Sequence, residues 1–267
     1  MSAPLLVVEH LVKSFDGVDA LRDVSFTVSR RGIVAMIGPN GAGKTTCFNL
    51  IHGQLVPDAG DIRFDGASIV GVPTHAIAHR GIARTFQIPA TFASMTVREA
   101  VALSLIAGAK RDARVLGPPL KARAASVDVD LARLQVDDIA DAHCGTLAYG
   151  DAKRLEIALA LIGSPKLLLM DEPTAGMTPT ARRALMTIVL ALAREHAASV
   201  FFTEHDMDIV FGFAERVIVL DRGALIADGP PAEIQARKDV QAAYLGEPGP
   251  ATDAVSTRAT GPAPRLE

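Results

Sequence analysis

The chain has 267 residues, 49% hydrophobic, 21% charged and 4% aromatic, and its 27 basic and 30 acidic side chains leave a formal net charge of -3. That length buries a full core without disulfide or metal staples, and the near-neutral balance excludes a general nucleic-acid binder, which carries a marked basic excess. Mean hydropathy is high, +0.27, yet the longest apolar runs, Ala100 to Ala109 and Ala184 to Ala193, have about ten residues where a membrane span needs roughly 20.

No Lys or Arg precedes Lys13, so no secretory signal with a basic start is expected. Cys47 and Cys144 make no disulfide framework and suit a reducing cytosol; both read as buried small hydrophobes. Val24, Phe26 and Val28 alternate with polar residues, the pattern of a half-buried strand. Ile33 to Ile37 is a short apolar run between Gly32 and Gly38 and predicts a buried strand. Ile62 and Phe64 alternate, and Asp65-Gly66 is a hairpin turn signal. From about residue 90 to 145 the pattern is Ala-rich and helical, broken at Gly117-Pro118-Pro119. This predicts an inserted helical unit. Then come a helix over Leu155 to Ile162, a strand over Leu167 to Met170 and a helix over Arg182 to Arg194. Strands follow over Val200 to Thr203 and Val217 to Leu220. Helices alternating with apolar strands predict a largely parallel α/β sheet. From Pro248 on, Pro, Gly, Ala and Thr dominate, which predicts a disordered tail.

Gly38-Pro39-Asn40-Gly41-Ala42-Gly43-Lys44-Thr45 matches G-x-x-x-x-G-K-[ST] between the apolar strand and the amphipathic run Thr46 to Ile51. Glycines let the backbone wrap with its N–H groups aimed at phosphate oxygens, and the following helix adds its positive end. Lys44 would neutralise β- and γ-phosphate charge, and Thr45 would ligate Mg²⁺. The strand Leu167 to Met170 runs into Asp171-Glu172. Strand C-terminal ends are where α/β sheets place ligands. Asp171 fits a second Mg²⁺ anchor, and Glu172 fits the general base for an attacking water.

Three more segments establish a resemblance: Leu147-Ala148-Tyr149-Gly150-Asp151 before a helix, Gln87 in Thr85-Phe86-Gln87, and His205 in Glu204-His205-Asp206. With the phosphate loop and the acidic pair, they stand in the order and spacing of an ATP-binding-cassette (ABC) ATPase. The resemblance covers roughly residues 5 to 247. It looks closest to the ATPase subunits of branched-chain amino acid import systems, whose pattern is similar to Gly81 to Gln87, Glu204 to Met207 and Ala243 to Glu247.

The resemblance implies a P-loop NTPase α/β fold with a mainly parallel core sheet, an antiparallel β subdomain and an inserted helical subdomain (about 90–150). One cassette would span 1–247. It implies ATP and Mg²⁺ as ligands, with Phe15 stacking on adenine and Gly38 through Thr46 around the phosphates. Gln87 would approach Mg²⁺ and the attacking water, and His205 would hold Glu172 and that water in line. Leu147, Ala148, Tyr149, Gly150 and Asp151 would cover the ATP of a second cassette in a head-to-tail dimer.

Three positions depart from the family pattern. Ala148 stands for Ser, Asp151 for Gln or Glu, and Thr178 for the Asp of the loop Ala175 to Pro179. The Asp151 charge would face phosphate, with Lys153 or Arg154 at hand to compensate. The implied function is ATP hydrolysis driving an importer. Implied partners are permease subunits at the cytoplasmic face of the plasma membrane, a second ATPase subunit and, indirectly, a solute-binding protein, with no nucleic acid. The alternatives are a soluble cassette ATPase acting on nucleic acid or ribosomes, and a regulatory module with little turnover.

Overall fold

The structure is a computed structural model that describes residues 3–85, 93–108 and 120–245. The expectations for Gln87, for the break at Gly117-Pro118-Pro119 and for the tail from Pro248 lie outside those residues.

The chain opens with β1 (Leu6–Phe15), β2 (Val18–Val28) and β3 (Ile33–Ile37), and then α1 (Lys44–Ile51). Next come β4 (Ala59–Phe64), β5 (Ala67–Ser68), α2 (Thr74–Arg80) and β6 (Ile82–Arg84). The inserted helices are α3 (Val97–Gly108) and α4 (Leu120–Arg133). The second half runs α5 (Tyr149–Leu161), β7 (Leu167–Asp171), α6 (Pro179–Glu195), β8 (Ser199–Thr203) and α7 (Met207–Phe213). It ends with β9 (Arg216–Asp221), β10 (Ala224–Gly229), α8 (Pro231–Ala236) and α9 (Lys238–Leu245).

The described residues form two sheets, of order β2-β1-β4-β5 and β10-β9-β3-β8-β7-β6. The first is antiparallel. The second is parallel except for its β9–β10 hairpin edge. Every residue of β3 and β8 is buried, as strands covered on both faces require. Their alternation splits the core in two. Ile33, Ala35 and Ile37 face one cluster with Leu168, Met170, Val200 and Phe202. Val34 and Met36 face the other, with Leu167, Leu169 and Phe201. The Asp65-Gly66 turn has positive φ at both residues, 52° and 83°, and pairs Phe64 with Ala67. That is the backbone a two-residue hairpin loop demands.

The helix after the phosphate loop is wedged between the sheets. Phe48 stacks on Phe201 at 4.8 Å, and Phe201 meets Phe26 of β2 at 5.6 Å. Such aromatic pairs contribute about 0.5–1.5 kcal/mol each beyond area burial. The β9–β10 turn braces the loop: Gly223 N donates to Ala42 O at 3.1 Å, and Arg22 N donates to Gly223 O at 2.7 Å. Both cysteines are buried, and burial pushes the Cys47 thiol up to about 12.

His52, just past α1, is pushed down to about 4 by burial, with the nearby Arg84 charge adding to it. The unfolded chain therefore takes up this proton first, near pH 6.5. Stability is complete above that pH and falls as the pH drops from 6.5 to 4. The whole loss from this group is about 3 kcal/mol. Denaturant midpoints measured at pH 7 and pH 5 are expected to fall accordingly, and His52→Gln is expected to flatten the slope. An unchanged slope in that variant contradicts the assignment.

Candidate nucleotide site

The parallel order brings three strand ends to one edge. β3 delivers Gly38 to Thr45, β7 delivers Asp171 and Glu172, and β8, next to both, delivers Thr203, Glu204 and His205. The loop is shaped for glycine. At Gly43 (φ +102°) a Cβ would sit 2.4 Å from Ala20 O, and at Gly38 it would sit 2.2 Å from Leu220 O.

The first amides of a helix have no carbonyl one turn behind them. In α1 these belong to Lys44, Thr45 and Thr46; Cys47 N is the next, and it bonds to Gly43 O at 2.9 Å. They front a cavity of about 290 Å³ lined by Ala20, Glu172 and every residue from Asn40 to Thr46. Lys44 is 6% exposed. Its Nζ donates to Gly38 O at 2.7 Å and Pro39 O at 3.1 Å. Burial lowers its pKa, and the Glu172 and Asp171 carboxylates oppose that shift. A larger cavity of about 710 Å³ lies on the other flank of the loop, against Asp221, Arg222 and α9, away from the acidic pair.

These residues fit a polyphosphate: free helix amides, an ammonium and a backbone with no room for Cβ. Thr45 and Asp171 offer the hard oxygen donors that Mg²⁺ takes together with phosphate oxygens. Among the described residues, no three His, Cys, Asp or Glu side chains are grouped to hold a metal by themselves.

The two carboxylates of the acidic pair diverge. β7 ends at Asp171, and Glu172 adopts φ +48°. A non-glycine residue in that region costs about 1–3 kcal/mol. The turn is held by Thr203: its Oγ1 donates to Asp171 Oδ1 at 2.6 Å and accepts from Glu172 N at 3.0 Å. Asp171 therefore points back toward β8 and β6, while Glu172 points into the loop cavity. There Glu172 Oε1 meets His205 Nε2 at 2.7 Å. The imidazole N–H donates to the carboxylate.

His205 is anchored from behind. Glu204 is buried; its Oε1 accepts from Thr174 N at 2.9 Å and Thr174 Oγ1 at 2.6 Å, and its Oε2 accepts from His205 N at 3.2 Å. Arg182 Nε donates to Met177 O at 2.8 Å and pairs with Asp206. The loop from Thr174 to Thr178 is thus tied to the His205 turn. Thr178, the departure from Asp, caps α6: its Oγ1 accepts from Ala181 N at 3.4 Å.

Other expected residues stand apart from the cavity. Phe15, at the tip of the β1–β2 hairpin, is 42% exposed, so it is not core; Lys13 Nζ lies 5.4 Å over its ring. Leu147, Ala148, Tyr149, Gly150 and Asp151 are not part of its lining. The helix they introduce starts at Tyr149 rather than Leu155, with Ala148 as its cap. Gly150 and Asp151 therefore lie in its first turn. Ala152 N, bonded to Ala148 O at 2.9 Å, is the first amide with a helical partner. Arg154 is the residue that compensates Asp151, at 2.9 Å, while Lys153 pairs with Glu156 at 2.8 Å.

Thr203, Glu204, Arg182 and Arg84 are not recognisable as site residues from the sequence. For Thr203 and Arg84 the one signal is a polar or charged residue closing an apolar strand, as in Val200 to Thr203 and Ile82-Ala83-Arg84.

Comparison with known proteins agrees with this geometry. Residues 21–175 match the family described as ABC transporter, and residues 224–249 match the family described as branched-chain amino acid ATP-binding cassette transporter. The chain is 38% identical over 258 residues to the high-affinity branched-chain amino acid transport ATP-binding protein BraF of Pseudomonas aeruginosa, covering 92% of this chain and 100% of BraF. It is 37% identical over 254 residues to the corresponding LivG protein of Escherichia coli, covering 92% of this chain and 100% of LivG. Among solved structures, the ADP conformation of MJ1267, an ATP-binding cassette of an ABC transporter, superposes with a TM-score of 0.81 at 30% identity, covering 92% of this chain and 100% of that one. A phosphate loop, an acidic strand end and a histidine on adjacent parallel strands, in a chain matched along nearly its whole length, leave one conclusion: the protein belongs to the ABC transporter family, as an ATP-binding cassette.

Proposed function

We propose that this chain is the ATP-binding and ATP-hydrolysing subunit of an importer, energising uptake of branched-chain amino acids or a related small polar solute through separate permease subunits. The observation that carries hydrolysis is the Glu172–His205 contact at 2.7 Å, with Glu172 lining the phosphate-loop cavity. The choice of solute rests on the names of the relatives and on the match over residues 224–249.

Phe15 stacks on adenine, and the backbone from Gly38 to Thr46 holds the phosphates. Lys44 exchanges its two carbonyl partners for phosphate oxygens. Glu172 accepts the proton of the water that attacks the γ-phosphorus, as the bridging oxygen leaves with ADP. His205 keeps Glu172 in line, and Gln87 approaches the same water. Thr45, Gln87 and Asp171 would hold Mg²⁺, which when bound neutralises charge on the phosphate oxygens. Asp171 already has both oxygens engaged, by Thr203 and Arg84. That suits contact with the metal through water.

Residues 1–247 act as one cassette, paired head to tail with a second one, identical or paralogous. The open amides at the start of α5, from Tyr149 to Asp151, supply the second cassette's anion contact. No helix of the described residues is long and apolar enough to cross a membrane. The permeases supply the span, and this chain works peripherally at the cytoplasmic face. A solute-binding protein acts indirectly, through the permeases.

The test is reconstitution with the cognate permease pair and second cassette in vesicles loaded with ATP and Mg²⁺, with the solute-binding protein outside. Radiolabelled leucine is expected to accumulate with the wild-type chain and not with Lys44→Ala. Membrane association that persists without the permeases, or uptake indifferent to the Lys44 substitution, overturns the reading.

A further inference from the structure

Arg84 closes β6 with its side chain only 8% exposed. Its Nη2 lies 3.2 Å from Asp171 Oδ2. Its Nη1 donates to Asn49 Oδ1 at 2.7 Å and to Gln54 Oε1 at 2.9 Å. Asn49 is in the last turn of α1, and Gln54 follows the helix. One guanidinium therefore joins β6, the acidic end of β7 and the rear of the phosphate-loop helix. The opposite oxygen of Asp171 is taken by Thr203, so the carboxylate is clamped from both sides.

We infer that Arg84 is a positioning residue for ATP hydrolysis, locking the Asp171 carboxylate to the end of α1 so that the acidic strand end and the phosphate loop keep one relative geometry. This rests on the reading of Asp171 as a metal-holding residue. A guanidinium suits the task because its donors are fixed in a planar fork. Hydrogen bonds to a charged partner are the strong ones, and burial spares this one from screening. Lysine carries the charge but cannot reach Asp171, Asn49 and Gln54 in one rigid arrangement. Arg84 is not in the lining of the loop cavity, and its contacts to Asp171, Asn49 and Gln54 link it to the site from behind.

A double-mutant cycle tests this. Single-turnover ATP hydrolysis with Mg²⁺ is measured for wild type, Arg84→Lys, Arg84→Ala, Asp171→Asn and the two combined variants. ATP affinity without Mg²⁺ is measured alongside. Arg84→Ala is expected to slow hydrolysis about tenfold and Arg84→Lys about threefold, with metal-free affinity held within about twofold. In the Asp171→Asn background either substitution is expected to cost less than about twofold more, because coupled residues do not add. Should Arg84→Ala fail to fold, the Lys cycle carries the same comparison. Wild-type rates in the Arg84 variants, or equal factors in both backgrounds, overturn the inference while the functional reading stands. A wild-type chain that hydrolyses no ATP fails the functional reading and this inference with it.

Discussion

Glu172→Gln is expected to lower ATP turnover by at least about a hundredfold, the contribution of a positioned general base. The substitution is nearly isosteric. It leaves the backbone turn at φ +48° and the Thr203 contacts to Glu172 N in place. The Gln amide oxygen still accepts from His205 Nε2, so His205 keeps its station. What is lost is the proposed acceptor of the water's proton. Nucleotide binding is left intact and one negative charge is removed from beside the γ-phosphate, so the ATP-bound state becomes long-lived. In the proposed head-to-tail arrangement that state is a dimer, visible by size-exclusion chromatography with light scattering at saturating ATP and Mg²⁺. Turnover close to wild type rejects Glu172 as the base. A chain that stays monomeric under those conditions rejects the head-to-tail arrangement.

Lys44→Ala is expected to weaken ATP binding by about 1.5–3 kcal/mol, or roughly 10- to 150-fold. The ammonium sits buried at the base of the loop, held by the Gly38 and Pro39 carbonyls. Both are exchangeable for phosphate oxygens at little cost in geometry, because the stem is already threaded through the loop. The nearby Glu172 and Asp171 carboxylates make the site net negative once Lys44 is gone, which adds repulsion to the lost contact. Calorimetric titration with ATP measures the effect, and unchanged affinity contradicts the phosphate-loop assignment. Without nucleotide, the thermal midpoint is expected to move little, since no apolar packing depends on the Lys44 head group.

The phosphate loop was legible because its chemistry is local: eight consecutive residues between a short apolar strand and a helix supply every element of an anion cradle. The same holds for Asp171 and Glu172, which close an apolar run, and for the Asp65-Gly66 hairpin. Elements without a strong local pattern were not legible. β1 owes its pairing to partners far along the chain, Leu6 to Val28 and Phe64, whereas β10 pairs locally, Ala224 with Asp221, across a tight turn that its own residues do not announce by alternation. The extra turn of α6 comes from the Thr178 cap and Pro179 at its start rather than from apolar periodicity, and α5 begins six residues before its apolar run with no side-chain cap to mark it. Arg154 could be separated from Lys153 as the partner of Asp151 only by seeing which side of α5 each occupies.

The sequence by itself determined the cassette family, the phosphate loop, the two carboxylates and the histidine, because each is carried by residues adjacent in the chain. The tertiary structure alone decided how they meet. The strand order β3-β8-β7 puts Lys44, Glu172 and His205 at one edge, although more than a hundred residues separate the loop from the other two. It also turned Asp171 away from Glu172 through a strained φ held by Thr203, and gave Asp171 its clamp from Arg84 on β6. The physical reason is one of range. Motif chemistry is written in short spacings, whereas the direction of a carboxylate depends on hydrogen-bond donors that only strand pairing brings within reach.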